Sequence, residues 1–226
     1  GKEYNMVAYG GAKKEWFEQA DAFEELVAGK TLAEVKALVA AENKGNDEVV
    51  KAGCTIMIHE FVGAIEKAMN AAKDSKVTAK DTIKVTAATE QTCTDATADK
   101  DGSNKVAVTV FGAAVNADGK VVAAASDCVE VTFSFDTKGK STLDTAKAVK
   151  SKKEQGKDYG MVAYGNAPKE WFEQAAGFAA YVTGKTPADV AGIAVDESTY
   201  PTDTDLTASC TIAIGGFQAL IAKALK

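Results

Sequence analysis

The sequence predicts an α+β protein: an antiparallel β-meander of about four strands packed with two repeated helical segments. Two patterns carry that expectation. Tyr4 to Gly10 runs into Glu15-Trp16-Phe17-Glu18-Gln19-Ala20, and the same order returns as Tyr159 to Gly165 followed by Glu170-Trp171-Phe172-Glu173-Gln174-Ala175. Each copy then passes through Gly-Lys-Thr (Gly29 to Thr31, Gly184 to Thr186) and ends on Cys-Thr-Ile with an apolar helical tail (Cys54 to Met69, Cys210 to Leu225). An ordered match of this length reads as an internal duplication, which has to be recognised before any fold is assigned. Between the copies the pattern changes to alternation with period two, the mark of half-buried strands.

Within the first copy, a short extended or turn segment ends at Gly10-Gly11, and a helix follows from about Lys13. Trp16, Phe17, Ala20, Phe23 and Val27 recur at three- and four-residue steps, while Lys14, Glu18, Asp21 and Glu25 face away. Gly29 stops that helix. Thr31-Leu32-Ala33-Glu34 is a capping box for a second helix, expected over 32–41, and Thr186-Pro187 puts proline at the first helical position of its counterpart. Gly-Lys-Thr is not a phosphate loop, because the further glycine that such a loop requires is Glu24 in one copy and Ala179 in the other. Ile58, Phe61, Val62, Ile65 and Met69 make the stripe of a final helix. Val49-Val50 and Thr55-Ile56 could form a short strand before it. The second copy repeats the order, with helices from about Pro168, Pro187 and Thr211.

Residues 74–150 are expected to form the sheet and a connector. Ile83 to Thr86, Val106 to Val110, Val121-Val122 and Val129 to Phe135 are the four strand candidates, with Asn116-Ala117-Asp118-Gly119 as a turn. Asp99 to Asn104 has some calcium-loop character, but no glutamate closes it at the required distance, so it reads as a solvated turn. The lysine-rich stretch 141–157 reads as a surface helix or connector. The expected domains are therefore 1–73 (first repeat), 74–150 (sheet and connector) and 151–226 (second repeat), with 74–226 as one complete sheet-plus-helix unit. The second repeat is preceded by a sheet and the first is not. A longer natural chain is the expected origin of that asymmetry. Within this chain, two similar helical halves are expected around one sheet, since an uncovered apolar face invites aggregation.

Composition narrows the function. The chain has 226 residues, a net charge of −6 and no arginine. The missing guanidinium forks and the acidic balance argue against nucleic-acid binding. No apolar run approaches the roughly 18 residues that span a bilayer, and a leader peptide is expected to have been removed or never present. With His59 as the only histidine and no Cys-x-x-Cys, a zinc site is not expected. Cys54 and Cys210 read as small buried positions, whereas Cys93 and Cys128 could meet as a disulfide.

The valine-rich hairpin, the Asp118-Gly119-Lys120 turn and a Ser-Gly-Ala-Thr-like step into the last helix resemble the FMN-binding domain family. That family includes extracytoplasmic electron-transfer subunits and bacterial lipoproteins. The step is Ala208-Ser209-Cys210-Thr211 in the second repeat and Ala52-Gly53-Cys54-Thr55 in the first. The resemblance covers mainly residues 80–226. It implies FMN as cofactor, with Thr55 or Thr211, and Ser209 beside it, at the flavin phosphate on the start of a helix. The chain departs from the pattern where the leading serine is alanine in both copies, and where Met57 or Ala213 replaces the hydroxyl residue that follows the threonine. Without a ligand, Thr55 and Thr211 would cap or begin a helix.

Trp16 and Trp171 read as helix core, while Tyr9 and Tyr164, each beside a glycine, are candidates to stack on a flat anionic small molecule. Glu15, Glu18, Glu170 and Glu173 read as a solvated face, lacking a histidine or activated nucleophile to work with. Two functions follow. One is a non-enzymatic, extracytoplasmic bacterial binding or structural module, secreted or lipid-anchored. The other is an FMN-binding electron-transfer protein.

Overall fold

The computed structural model describes residues 1–72 and 75–224. It is a mixed α+β chain that divides into two compact units, Gly1–Ser75 and Lys76–Lys226. The boundary expected at residues 73 and 74 lies outside the described residues, as does Leu225 at the end of the second apolar tail.

Unit 1 holds α1 (Trp16–Val27), α2 (Leu32–Lys36), α3 (Asp47–Ala52) and α4 (His59–Ala71). Its helix α1 begins three residues later than the periodicity suggests, because Glu15 is the N-cap. The Glu15 side chain accepts from the N3 backbone, and Glu18 at N3 accepts from the Glu15 N–H at 2.8 Å. Thr31 and Glu34 form the expected capping box on α2, which stops at Lys36 and not near Ala41. The possible strand at Val49-Val50 is instead helix α3, since Asn46 caps it by accepting from the N–H groups of Glu48 and Val49. Phe23, Val35, Leu38, Val49, Cys54, Ile58 and Val62 form a core of their own.

Unit 2 opens with the sheet: β1 (Thr82–Thr94), β2 (Gly102–Val115) and β3 (Val121–Phe135), antiparallel in the order β1-β2-β3. Three strands replace the four expected. The two candidates Val121-Val122 and Val129 to Phe135 belong to one continuous strand, because the alanine- and serine-rich run between them contains no glycine or proline to turn the chain. The turn at Asn116 is present, with the Asn116 side chain accepting from Asp118 N and Lys120 N and Gly119 at φ +74°.

The helices follow as α5 (Lys152–Gln155), α6 (Met161–Gly165), α7 (Trp171–Val182), α8 (Pro187–Ala191), α9 (Thr204–Thr207) and α10 (Gly215–Ala224). As in unit 1, helix starts expected at Pro168 and Thr211 move to Trp171 and Gly215. Of the lysine-rich stretch 141–157, only 152–155 is α-helical, capped by Ser151.

The helices cover one face of the sheet, the face carrying Phe111, Ala113 and Cys128. These join Trp171, Phe178, Val182, Phe217, Leu220 and Ile221 in a single core. Phe111 lies 6.5 Å from Phe178 and 6.4 Å from Phe217, centroid to centroid. Strand register also disposes of the disulfide. Cys128 pairs through Thr109 to Ala88, so Cys93 lies five rows away, about 17 Å along the strand, and on the opposite face. All four cysteines are free, with Cys93 exposed and the other three buried.

Candidate functional site

Two arrangements in unit 2 use polar chemistry, and the first recurs in unit 1. It is a latch built on the repeated Glu-Trp-Phe-Glu-Gln. The Glu170 carboxylate accepts from Met161 N at 2.9 Å and from Val162 N at 3.2 Å, holding the preceding segment against the start of α7. One helical turn on, Gln174 Oε1 accepts from both Thr211 N (2.7 Å) and Thr211 Oγ1 (2.9 Å), while its Nε2 donates to Lys169 O at 2.9 Å. Unit 1 repeats each bond. Glu15 accepts from Met6 N and Val7 N, and Gln19 accepts from Thr55 N and Oγ1, both at 2.8 Å, and donates to Lys14 O.

Glu15 and Glu170 are therefore not on a solvated face. They are 6% and 4% exposed, and Gln19 and Gln174 are 1% exposed. Such burial is tolerated because the amides and carboxylates are hydrogen-bonded. Glu18 and Glu173 remain exposed, as expected. The latch glutamines were missed in the sequence reading. Their signal was a polar residue held at the same place in both copies on the apolar side of a helix.

The latch decides what Thr55 and Thr211 can do. A phosphate accepts hydrogen bonds, and each threonine has only an N–H and an O–H to give. Both are already donated to one glutamine oxygen. As they stand, these residues do not fit a flavin phosphate. Neither threonine caps a helix, since α4 and α10 start at His59 and Gly215. Ser209 donates its hydroxyl to Leu206 O at 3.2 Å. Its backbone and side chain also lie so close to α7 that a Cβ on Gly177 would meet Ser209 O at 2.7 Å, which accounts for a glycine inside that helix. Tyr9 and Tyr164 are each 88% exposed and meet no latch residue through any hydrogen bond or ring contact. Within unit 1 Tyr9 thus does not join Thr55, and within unit 2 Tyr164 does not join Ser209 and Thr211.

The second arrangement is a cleft of about 600 Å³ between the helix-covered face of the sheet and the start of α10. Tyr159, Trp171, Tyr200 and Phe217 supply aromatic wall, and Glu90, Lys105, Glu130 and Lys152 supply charge. Glu130 Oε2 joins the two lysines, 3.0 Å from Lys105 Nζ and 3.3 Å from Lys152 Nζ. Lys152 also sits over two rings, 5.0 Å from the Tyr159 centroid and 5.7 Å from that of Trp171. Helix α5 puts it there: Ser151 Oγ donates to Asp127 Oδ2 at 2.7 Å and Lys153 N donates to Asp127 Oδ1, pinning the helix start to β3.

Burial works against the charge on Lys152, yet its pKa is raised, because the Tyr159 hydroxyl and the negative groups around it outweigh that cost. Burial likewise opposes ionisation of Glu130, and the hydrogen bonds and charges of Lys105 and Lys152 hold its pKa below the ordinary value. The cleft is thus lined by a preorganised charged triad under an aromatic roof. It can hold a flat or amphipathic molecule, and its lining also includes the Cys128 thiol near Lys152. No three His, Cys, Asp or Glu residues among them lie close enough to hold a metal ion, and no helix among them is long and apolar enough to cross a membrane.

Comparison with protein-family models, with curated proteins and with solved structures returned no match.

Proposed function

We propose that this chain is a non-enzymatic, extracytoplasmic bacterial module, arisen by internal duplication and related to FMN-binding domains, that serves as a binding or structural element. One observation supports this above the others. The buried polar pairs that the two repeats share, Glu15/Glu170 and Gln19/Gln174, and the Thr55/Thr211 pair that they hold, are consumed in holding the fold. What is repeated here is a scaffold, with no catalytic set among its members. A visible absorption spectrum with intact mass on natively purified protein tests the reading. The expected sample is colourless and of unmodified mass. A flavin or other redox cofactor recovered at one per chain would overturn it.

The cleft favours a second reading, an FMN-binding redox protein whose flat anionic ligand lies at the start of the last helix. Its support is the placement of Tyr159, Trp171 and Phe217 beside Lys105 and Lys152. On this reading the lysines would take the phosphate in place of Thr211. Titrating FMN and following its fluorescence separates the two. Saturable quenching that Lys152→Met abolishes would establish the second, and unchanged fluorescence would remove it. Secretion or lipid anchoring belongs to both readings, and fractionation of the producing cell checks it.

A further inference from the structure

The Gly-Lys-Thr loop does more than stop one helix and cap another. In unit 2 the Gly184 N–H donates to Val121 O at 2.7 Å, and Val121 N donates to Lys185 O at 2.9 Å. The first residue of β3 is thereby clipped to the loop as a strand is to its neighbour. Beside the clip, the helical face meets the sheet through Trp171, Phe178, Val182, Phe217, Leu220 and Ile221, none more than 6% exposed. Thr86 Oγ1 of β1 completes the attachment, donating to Leu220 O at 3.1 Å.

Unit 1 carries the same equipment with nothing seated on it. Gly29 and Lys30 repeat the clip, and no hydrogen-bond partner is seen for the Gly29 N–H or the Lys30 carbonyl among the described residues. Trp16 packs edge-to-face on Phe61 at 5.9 Å and 71°, as Trp171 does on Phe217 at 6.3 Å and 70°. The rings are preset, yet Trp16 is 42% exposed where Trp171 is 6%. Tyr4 is likewise exposed where Tyr159 is half-buried, and Ala64 is exposed in the place of buried Leu220.

We propose that this face of the first repeat is a docking surface for a three-stranded antiparallel meander of the kind formed by residues 82–135, its third strand beginning on Gly29 and Lys30. The combination of features selects the occupant. A lipid or a flat small molecule would cover the rings and make no use of the backbone pair, whereas a strand end bonds both groups at once, as Val121 does in unit 2. The shallow hollow bounded by Tyr4, Trp16 and Phe17 lies on this face. The inference concerns unit 1 alone and stands whichever reading of the unit 2 cleft is right.

The test adds the occupant to the whole chain by fusing a second copy of residues 76–150 ahead of Gly1. Acrylamide quenching is read in a Trp171→Phe background, so that Trp16 reports alone, and hydrogen exchange is read at Gly29. The expected result is a blue shift and loss of quenching for Trp16, slowed exchange at Gly29, and a protein that remains monomeric. Ala64→Lys, at an exposed position, should leave the parent chain's stability unchanged and restore quenching in the fusion. The proposal is overturned if Trp16 stays open to quencher, whether the added strands are folded or not. It is also overturned if the parent chain already buries Trp16 by concentration-dependent self-association, which would make a second copy the occupant.

Discussion

The first repeat and the helical part of unit 2 have matching interiors, each its own, and differ on one flank. Phe23 and Phe178, Val35 and Val190, Val49 and Leu206, Cys54 and Cys210, and Ile58 and Ile214 are buried in matching places, at most 2% exposed. Both copies also close the same glutamine latch. The flank around tryptophan differs, because in unit 2 a sheet lies on it and in unit 1 the same residues are open. The lesson is that the repeat is stabilised from within, by core and latch, and that its outer face is a separable surface.

The tryptophans should divide the copies most sharply. Trp171→Ala removes a buried ring and should cost about 3–5 kcal/mol, while Trp16→Ala should cost roughly 1 kcal/mol or less. Urea unfolding followed separately for each unit reads both, since two compact units need not unfold as one. Equal losses would break the comparison.

The latch should do the opposite and give matched effects. Gln19→Ala and Gln174→Ala each strand a threonine N–H and remove two further bonds, for an expected loss of about 1–3 kcal/mol in the respective unit. Glu15→Ala and Glu170→Ala each remove a helix cap and a tie to the preceding segment, for about 1–2 kcal/mol. A large difference within either pair would show that the copies are held together differently.

Thiol chemistry sharpens the contrast between interior and surface. Burial raises the pKa of the Cys54 and Cys210 thiols, and Cys128 is buried in the sheet face, so native protein should react with a thiol reagent at Cys93 only. Mass spectrometry of labelled peptides gives the answer.

The smallest effect is a pH dependence confined to unit 2. Glu130 has a lowered folded-state pKa, so its contribution is present above the ordinary carboxylate range near pH 4 and is lost as pH falls through the folded value. Lys152 has a raised one, so its contribution is full below the usual lysine range near pH 10 and fades as pH rises through the folded value. Glu130→Gln should flatten the acid limb of the unit 2 stability profile and leave that of unit 1 unchanged.

The α+β class and the helix order within each repeat could be read from periodicity and from the repeat itself. Helices α1 and α7 start later than periodicity suggests because Glu15 and Glu170, which look like charges for water, are their N-caps. A carboxylate can cap a helix and tie down a neighbouring segment at once, and only the fold places those N–H groups in reach. Strand count failed for a plainer reason: Ala123 to Ser126 breaks the large-residue alternation without breaking the strand. Trp16 was expected in the core because helical spacing marks an apolar face and cannot report whether anything covers it. The cleft charges were illegible, since Lys105, Glu130 and Lys152 come from two strands and a short helix that no local pattern connects.

The bond from Thr86 to Leu220 spans 134 positions of sequence, whereas the longer latch bond of unit 1, from Gln19 to Thr55, spans 36. Long closures are slow to form. During synthesis the first unit can therefore finish folding soon after it leaves the ribosome. The sheet is made before the helices that cover it, so its Phe111 side stays open until α7 and then α10 have followed, an interval in which exposed apolar surface favours aggregation.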